Sequence, residues 1–213
     1  MTTGPLSQLD IRAITFDVDG TLYDLKRQKL RLAPYLLRHP LILSRYNQVV
    51  DSMRHEKHRD MRGAICARLG EEVGSTPLRV KQVVDGVIHG SWPAGFSKRT
   101  PWPEMAKVLA KIDAAGLPRA VVSDYSSDLK LERMGLDRGW AAVIDCERLG
   151  AMKPHPDGIL AAADQMGVAP EHVLHIGDRP ELDEKMAHAA GAHCLILGRD
   201  MRRIRQLPEM LLK

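Results

Sequence analysis

The sequence predicts an α/β protein: a doubly wound parallel sheet with a helical domain inserted after its first strand. Three observations support this fold class. Short apolar strands alternate with helices from residue 103 onward, which is typical of parallel βα units. Glycines follow the ends of several of these helices, where a left-handed residue commonly stops a helix. Between the first strand and the alternating region lies a long stretch with helical periodicity only.

The first strand is predicted over residues 11–18, an apolar and β-branched run that ends in acidic residues. Gly20 allows a sharp turn, so Asp17 at the strand end and Asp19 on the turn can reach one site. Two close carboxylates need a cation or a proton to offset their repulsion, which makes this segment a candidate active site. A functionless acidic turn remains the alternative for the segment alone. A calcium loop fits less well, because its glycine comes at the sixth position and it follows a helix.

The inserted region is predicted to be helical throughout. Helical patterns cover residues 25–37 and 41–69, separated by His39-Pro40, and a third helix begins near Pro77 with Thr76 as its N-cap. Glycine, proline and tryptophan residues at 90–95 and 100–103 predict the return of the chain. We therefore predict a core of residues 1–23 and 100–213, and a helical cap of residues 24–99.

The rest of the core is predicted to alternate between helices and strands. The predicted helices are 103–115, 126–134, 155–166 and 181–190, and the predicted strands are 119–123, 141–145, 172–176 and 192–197. A terminal helix with an exposed basic face is expected within residues 199–213.

Composition excludes several classes of protein. The chain has 213 residues, 27% charged and 44% hydrophobic, which are ordinary globular values. It contains no apolar run of membrane-spanning length, and its first residues do not resemble a signal peptide. Three widely spaced cysteines are typical of a reduced compartment. We expect a cytoplasmic protein with no membrane partner, and the sequence leaves the oligomeric state undefined.

The charge is unevenly distributed. Residues 24–99 contain 15 Lys or Arg against seven Asp or Glu, a balance of +8, whereas the whole chain carries +4. A basic cap facing an acidic core suits a small anionic substrate. The segment has few aromatic residues that could stack on bases, so we expect no nucleic-acid partner. The basic cluster at residues 54–62, with His55 and His58 at helical spacing, is interpreted as a solvated helix surface rather than a metal or phosphate site.

Polar residues follow several predicted strands. Ser123 and Asp124 end one strand, Lys153 precedes a helix N-terminus, and Asp178 follows another strand, with Asp183 five residues later. Because the carboxyl ends of parallel strands share one edge of a sheet, these groups should meet Asp17 and Asp19 in one crevice.

These four motifs, in this order, resemble those of the haloacid dehalogenase superfamily of phosphotransferases. The resemblance covers about residues 11–197 and implies a Rossmann-like core with the helical cap of the C1 subclass. It implies that Asp17 attacks phosphorus and forms an aspartyl-phosphate, and that Lys153 neutralises the developing charge. Asp19 would protonate the leaving alcohol and then deprotonate water. An acid at this position points to phosphate monoesters, because dehalogenase members usually carry an aromatic residue there.

The resemblance also implies a binding site for Mg²⁺ and for the phosphate. Asp17, the backbone carbonyl of Asp19, and Asp178 would bind the ion, while Asp183 would support that site or help to fix Lys153. The phosphate oxygens would be held by the Ser123 hydroxyl, the Asp124 amide and Lys153. The Asp124 side chain, at a position where many relatives have Asn or Gly, is expected to face away from the phosphate.

The expected activity is hydrolysis of a small phosphorylated metabolite. Two alternatives stay open: a phosphomutase with the same catalytic acids, and a non-catalytic protein that binds phosphate or a partner on this fold. Substrate identity depends on the cap, whose sequence carries no recognisable substrate motif.

Overall fold

The computed structural model describes residues 9–211 and contains one five-stranded parallel sheet. The strands are β1 (Ala13–Phe16), β2 (Arg119–Ser123), β3 (Ala142–Asp145), β4 (Val173–Gly177) and β5 (His193–Ile196). Their order across the sheet is β3-β2-β1-β4-β5, which places β1 at the centre. The predicted fold class is confirmed, and the strand order reverses on either side of β1, where sheets of this kind bind ligands.

Core helices cover both faces of the sheet. They are α7 (Met105–Ala114), α8 (Asp128–Met134), α9 (Cys146–Leu149), α10 (Asp157–Met166), α11 (Lys185–Ala190) and α12 (Leu207–Leu211). Alternate residues along β1 enter opposite apolar clusters: Ile14 packs on the face with α7, and Ala13 on the face with α10. The strands β1, β2 and β4 are buried on both sides, as their continuous apolar sequences predict, whereas Val143 of the edge strand β3 is exposed.

The strand β1 is shorter than the apolar run that predicts it. Its pairing continues at both ends through single hydrogen bonds, from the Arg12 amide to the His172 carbonyl and from the Asp17 amide to the Ile176 carbonyl, each 2.9 Å. Asp17 is therefore fixed to the sheet by its backbone although it lies one residue beyond the strand.

The region between β1 and β2 is helical. Its helices are α1 (Leu25–Lys29), α2 (Ala33–Arg38), α3 (Pro40–Met53), α4 (Met61–Val73), α5 (Pro77–Gly86) and α6 (Trp92–Ala94), with a 3₁₀ turn at Leu30–Leu32 and a π turn at Val87–Ser91. Helices α3, α4 and α5 form their own apolar cluster, in which Tyr46, Ile65 and Val84 are buried. Among the described residues, no helix has the length and apolar character needed to cross a membrane.

The expectation of one helix over residues 41–69 is wrong, because the chain leaves the helical path between α3 and α4. The Asp60 side chain accepts a hydrogen bond from the Gly63 amide at 2.9 Å, which caps the start of α4. In the preceding turn the Lys57 ammonium contacts Asp157 of the core at 2.6 Å. His55 and His58 therefore lie in a turn and do not share a helix face.

The expected terminal helix is also shorter than residues 199–213. A 3₁₀ turn at Ile204–Gln206 leads into α12, and residues 212–213 lie outside the described part. At the other junction, Tyr23 and Pro101 form an isolated antiparallel bridge where the chain enters and leaves the helical region. We keep the boundaries of the core, 1–23 and 100–213, and of the cap, 24–99, as a proposal that this bridge supports.

Candidate active site

Asp17 lies at the centre of the carboxyl edge of the sheet. The residue is 7% exposed. One carboxylate oxygen accepts a hydrogen bond from the Lys153 ammonium at 2.6 Å, and the other accepts one from the Thr21 hydroxyl at 3.2 Å. The carboxylate is thus oriented by a residue of its own turn and by a lysine 136 positions away.

Gly20 is required by the close approach of Asp178. Its φ of +106° lies in the left-handed region, which L residues with a side chain rarely adopt. A Cβ atom at this position would overlap the Asp178 carboxylate, and a Cβ on Gly177 would overlap Asp183. Glycines at these two strand ends allow the carboxylates to come together.

Asp183 contacts Lys153 and the two backbone amides that follow β4. Its Oδ1 accepts from the Lys153 ammonium at 2.7 Å, and its Oδ2 accepts from the amides of Asp178 at 3.1 Å and Arg179 at 2.9 Å. His175 is fully buried, and its Nε2 lies 3.3 Å from Asp183. Asp183 therefore has partners for both oxygens and holds Lys153 against Asp17.

Burial and charge perturb the titration of these groups. Burial, opposed by Lys153, raises the pKa of Asp17, and the neighbouring carboxylates act in the same direction. Burial and the charge of Asp183 raise the pKa of Asp178. Asp183 differs: burial opposes its ionisation, but Lys153 and His175 hold its pKa well below the usual range. A further cation near Asp17 and Asp178 would favour their ionised forms.

The donor set fits a hard divalent cation. Oxygen atoms of Asp17, Asp178 and Asp183 lie within 4.8 Å of one another, and carboxylate oxygens are the ligands that Mg²⁺ prefers. The Asp178 Oδ1 atom is buried and has no hydrogen-bond partner in the described part of the chain, so it is available to an ion. Asp183 oxygens are already bonded, which distinguishes it from Asp178 as a candidate ligand.

Asp19 faces a partner that the sequence did not indicate. The Lys130 ammonium on α8 contacts both Asp19 carboxylate oxygens, at 2.7 and 2.6 Å, and Lys130 is only 2% exposed. The Tyr23 hydroxyl donates a hydrogen bond to the same carboxylate. Burial and the Asp19 charge raise the pKa of Tyr23, so this hydroxyl remains a donor. These contacts fix the orientation of the Asp19 carboxylate.

Ser123 is the last residue of β2 and Asp124 follows it, and both line the same cavity. The Asp124 carboxylate accepts from the Arg54 guanidinium of the cap at 2.7 Å and from the Lys153 amide at 2.9 Å. Arg54 also donates to the Lys153 carbonyl at 2.9 Å. The side chain of Asp124 is thus occupied by the cap, and only its backbone is left for a phosphate.

Basic residues of the cap pair with acids of the core. Within residues 9–211, the Lys and Arg pairs between the two are Arg54–Asp124, Lys57–Asp157 and Arg62–Glu147, and His89 lies 3.7 Å from Glu147 as well. Some of the basic residues within 24–99 therefore form ion pairs that join the cap to the core. The cluster at 54–62, expected to be a solvated helix surface, contains the cap side of all three pairs.

A cavity of about 310 Å³ lies between the core and the cap and contains all the sequence-predicted site residues in its lining. These residues are Asp17, Asp19, Ser123, Asp124, Lys153, Asp178 and Asp183. Sequence reasoning did not single out Lys130 or Tyr23, and it assigned Arg54 to a solvated surface. The helical spacing of α8 offered one signal for Lys130, because it lies on the face that also carries the buried Leu131 and Met134.

The fold and the site together define a hydrolase or phosphotransferase class, with a carboxylate cluster at the edge of a parallel sheet. The family model described as haloacid dehalogenase-like hydrolase matches residues 11–191. The chain therefore belongs to this family, as the motifs predicted.

Curated relatives of the chain are phosphatases. The phosphoglycolate phosphatase of Shigella boydii serotype 4 is 25% identical over 201 residues, which cover 85% of this chain and 79% of the relative. The glyceraldehyde 3-phosphate phosphatase of Methanopyrus kandleri is 26% identical over 198 residues, covering 85% and 81%. Both alignments span the core and the helical region.

Solved structures with the same fold have more than one activity. A β-phosphoglucomutase from Clostridium difficile aligns with a TM-score of 0.69 at 15% identity, over 95% of this chain and 97% of that one. A 2-haloacid dehalogenase from Pseudomonas syringae aligns with a TM-score of 0.66 at 23% identity, over 95% and 98%. At these identities the likeness establishes the fold alone.

Proposed function

We propose that the protein is a Mg²⁺-dependent phosphatase that hydrolyses a small organic phosphate monoester through an aspartyl-phosphate. The observation that carries this proposal is the group of Asp17, Asp178 and Asp183 at the sheet edge, in which Lys153 contacts the buried Asp17 and Asp183. Phosphatase relatives at about 25% identity support the same reaction class.

Asp17 would be the nucleophile. Its carboxylate attacks phosphorus, the bond to the leaving oxygen breaks, and the phosphoryl group is carried on Asp17 until water displaces it. Lys153 contacts Asp17 at 2.6 Å and would neutralise charge on the transferring phosphoryl oxygens. Because Asp183 holds Lys153 on its other side, the ammonium stays in place when Asp17 forms a new bond.

Asp19 would be the general acid and then the general base. It gives a proton to the leaving alkoxide and later takes one from the attacking water. Lys130 and Tyr23 fix its carboxylate from the side of α8 and from its own turn. We propose Lys130 as the positioning residue for this step, because a misplaced acid protonates the leaving group less effectively.

The phosphate would be bound by the Ser123 hydroxyl, the Asp124 amide and Lys153. Mg²⁺, held by Asp17, the Asp19 carbonyl and Asp178, would offset the repulsion between a carboxylate and a phosphate dianion. The partner is then a small phosphorylated metabolite. The three cysteines are buried thiols, which supports the further proposal of a cytoplasmic location.

The direct test is phosphate release from a panel of phosphorylated metabolites with and without Mg²⁺. We expect metal-dependent release by the wild-type protein and none above background in Asp17→Asn. Asp164→Asn, which removes an exposed carboxylate on α10, serves as the matched control and should retain full activity. Undiminished release in Asp17→Asn would exclude it as the nucleophile, and an isomeric phosphate ester as the product would indicate a mutase.

A further inference from the structure

The core side and the cap side of the cavity are lined by different kinds of residue. The core side consists mainly of the charged residues of the candidate active site. The cap side is mainly apolar. Its apolar side chains are Leu25, Leu36, Leu43, Ile88 and Trp92. A phosphate bound at the core side would direct its organic group toward this apolar wall.

The cap offers little free positive charge to a second anionic group. Of the cations that it contributes to the lining, Arg54 is enclosed between Asp51 and Asp124, with contacts of 2.7 Å to each. Lys29 is exposed and forms no ion pair with any residue that the structure describes. A carboxylate on the organic group would therefore compete with existing acids for Arg54 or for Arg179, which pairs with Glu181 at 2.8 Å, or depend on a solvated lysine.

Two neighbouring polar side chains of α3, the exposed Asn47 and the buried Tyr46, interrupt the apolar wall. Tyr46 is 3% exposed and lines the cavity, with its ring centroid 6.4 Å from that of Tyr125. Its buried hydroxyl lies beside Tyr125, which also lines the cavity, so the two rings add aromatic surface to it.

We infer that the substrate is a phosphate monoester with a small apolar or aromatic organic group and no second anionic group. This inference rests on the proposed function and adds the substrate class to it. A cavity of about 310 Å³ is at the small end of ligand sites, which suits one ring or a short branched chain beside the phosphate. The preference separates this chain from its phosphoglycolate phosphatase relatives.

The test compares substrates that differ in the organic group but share an alkyl leaving oxygen. Benzyl phosphate and isobutyl phosphate carry apolar groups, whereas phosphoglycolate carries a carboxylate. We expect kcat/KM for benzyl phosphate to exceed that for phosphoglycolate by at least about tenfold, since apolar contacts of this size discriminate by about 10- to 200-fold. Acetyl phosphate, which has no large organic group, reports the phosphatase activity independently of this preference.

A pair of variants on α2 tests whether the apolar wall causes the preference. Leu36 lines the cavity and is 41% exposed, while its neighbour Leu37 is 85% exposed and lies outside the lining. Because α2 has no buried residues, neither change removes a core side chain. We expect Leu36→Asn to lower kcat/KM for benzyl phosphate about fivefold or more, with phosphoglycolate unaffected, and Leu37→Asn to change neither.

The outcomes separate the two proposals. Hydrolysis of acetyl phosphate together with a preference for phosphoglycolate would overturn the substrate inference and leave the proposed phosphatase intact. Equal losses on both substrates in Leu36→Asn would also overturn it. Absence of phosphate release from every substrate would overturn the proposed function and the inference with it.

Discussion

The core and the cap line one cavity with opposite chemistry. On the core side, buried carboxylates and lysines contact one another, as Asp17, Lys153 and Asp183 do within 2.7 Å. On the cap side, apolar side chains such as Leu43 and Ile88 line the cavity, and Arg54 is already paired with acids. We therefore expect the proposed reaction to depend on the core and substrate selectivity to depend on the cap. Changes on the two sides should therefore alter different kinetic quantities.

The largest expected effect follows from removal of the nucleophile on the core side. Asp17→Asn should lower kcat for every substrate by about 10⁴-fold or more, because loss of a covalent nucleophile removes the reaction path rather than a contact. Steady-state phosphate release measures this loss. Substrate affinity, measured by equilibrium binding, should change much less. A variant that kept more than about a tenth of the wild-type kcat would contradict the role of Asp17.

The loss of activity in Lys130→Met is expected to depend on whether the leaving group of the substrate needs a proton. With an alkyl phosphate, kcat/KM should fall about 100-fold, because Asp19 loses the ammonium that orients it. With p-nitrophenyl phosphate the loss should be under about fivefold, because nitrophenolate departs without a proton. Lys107→Met, at an exposed position of α7, provides the matched control. Equal losses on the two substrates would indicate that Lys130 is only structural.

Arg54→Met tests the contact between cap and core. It removes the partner of Asp124, whose side chain is 12% exposed, and should lower the free energy of unfolding by about 2–3 kcal/mol. Urea denaturation measures the change, with Arg79→Met on the exposed surface of α5 as the control. If the two variants were equally stable, the Arg54–Asp124 pair would not join the domains.

Glu147→Gln should change the pH dependence of stability. Burial raises the pKa of Glu147 from 4.5 to about 7, although Arg62 opposes this effect. The folded protein then keeps a proton that the unfolded chain releases, so the free energy of unfolding falls as pH rises from about 4.5 to about 7. The contribution is on the order of 3 kcal/mol. Urea midpoints across this range should decline less in Glu147→Gln than in wild type or in the exposed control Glu132→Gln, and parallel declines would contradict the shift.

The sequence predicted the core side well because its signals are local. Each strand is a short apolar run, and the polar residue that follows it is placed at the sheet edge by the topology alone. Asp17, Ser123 and Asp178 could therefore be placed in one crevice from the sequence, and they line one cavity. The order of motifs also allowed the family to be identified.

The cap side and the supporting contacts depend on packing between distant segments. Lys130 reaches Asp19 across 111 residues and Arg54 reaches Asp124 across 70, and no local pattern encodes either pair. The break between α3 and α4 also depends on packing between distant segments, since Lys57 in that turn contacts Asp157 of the core. The helical periodicity also does not tell which leucines line the cavity. Leu36 lines it and Leu37 does not, because of the way α2 packs against the core.

Direct detection of the covalent intermediate tests the central claim. The wild-type protein would be mixed with an alkyl phosphate and Mg²⁺ in water labelled with heavy oxygen, quenched in acid during turnover, and digested for mass spectrometry. We predict a phosphoryl group on the peptide that contains Asp17, heavy oxygen in the released phosphate, and neither in Asp17→Asn. Phosphate release without this adduct, or heavy oxygen incorporated into Asp17 itself, would contradict attack of Asp17 on phosphorus.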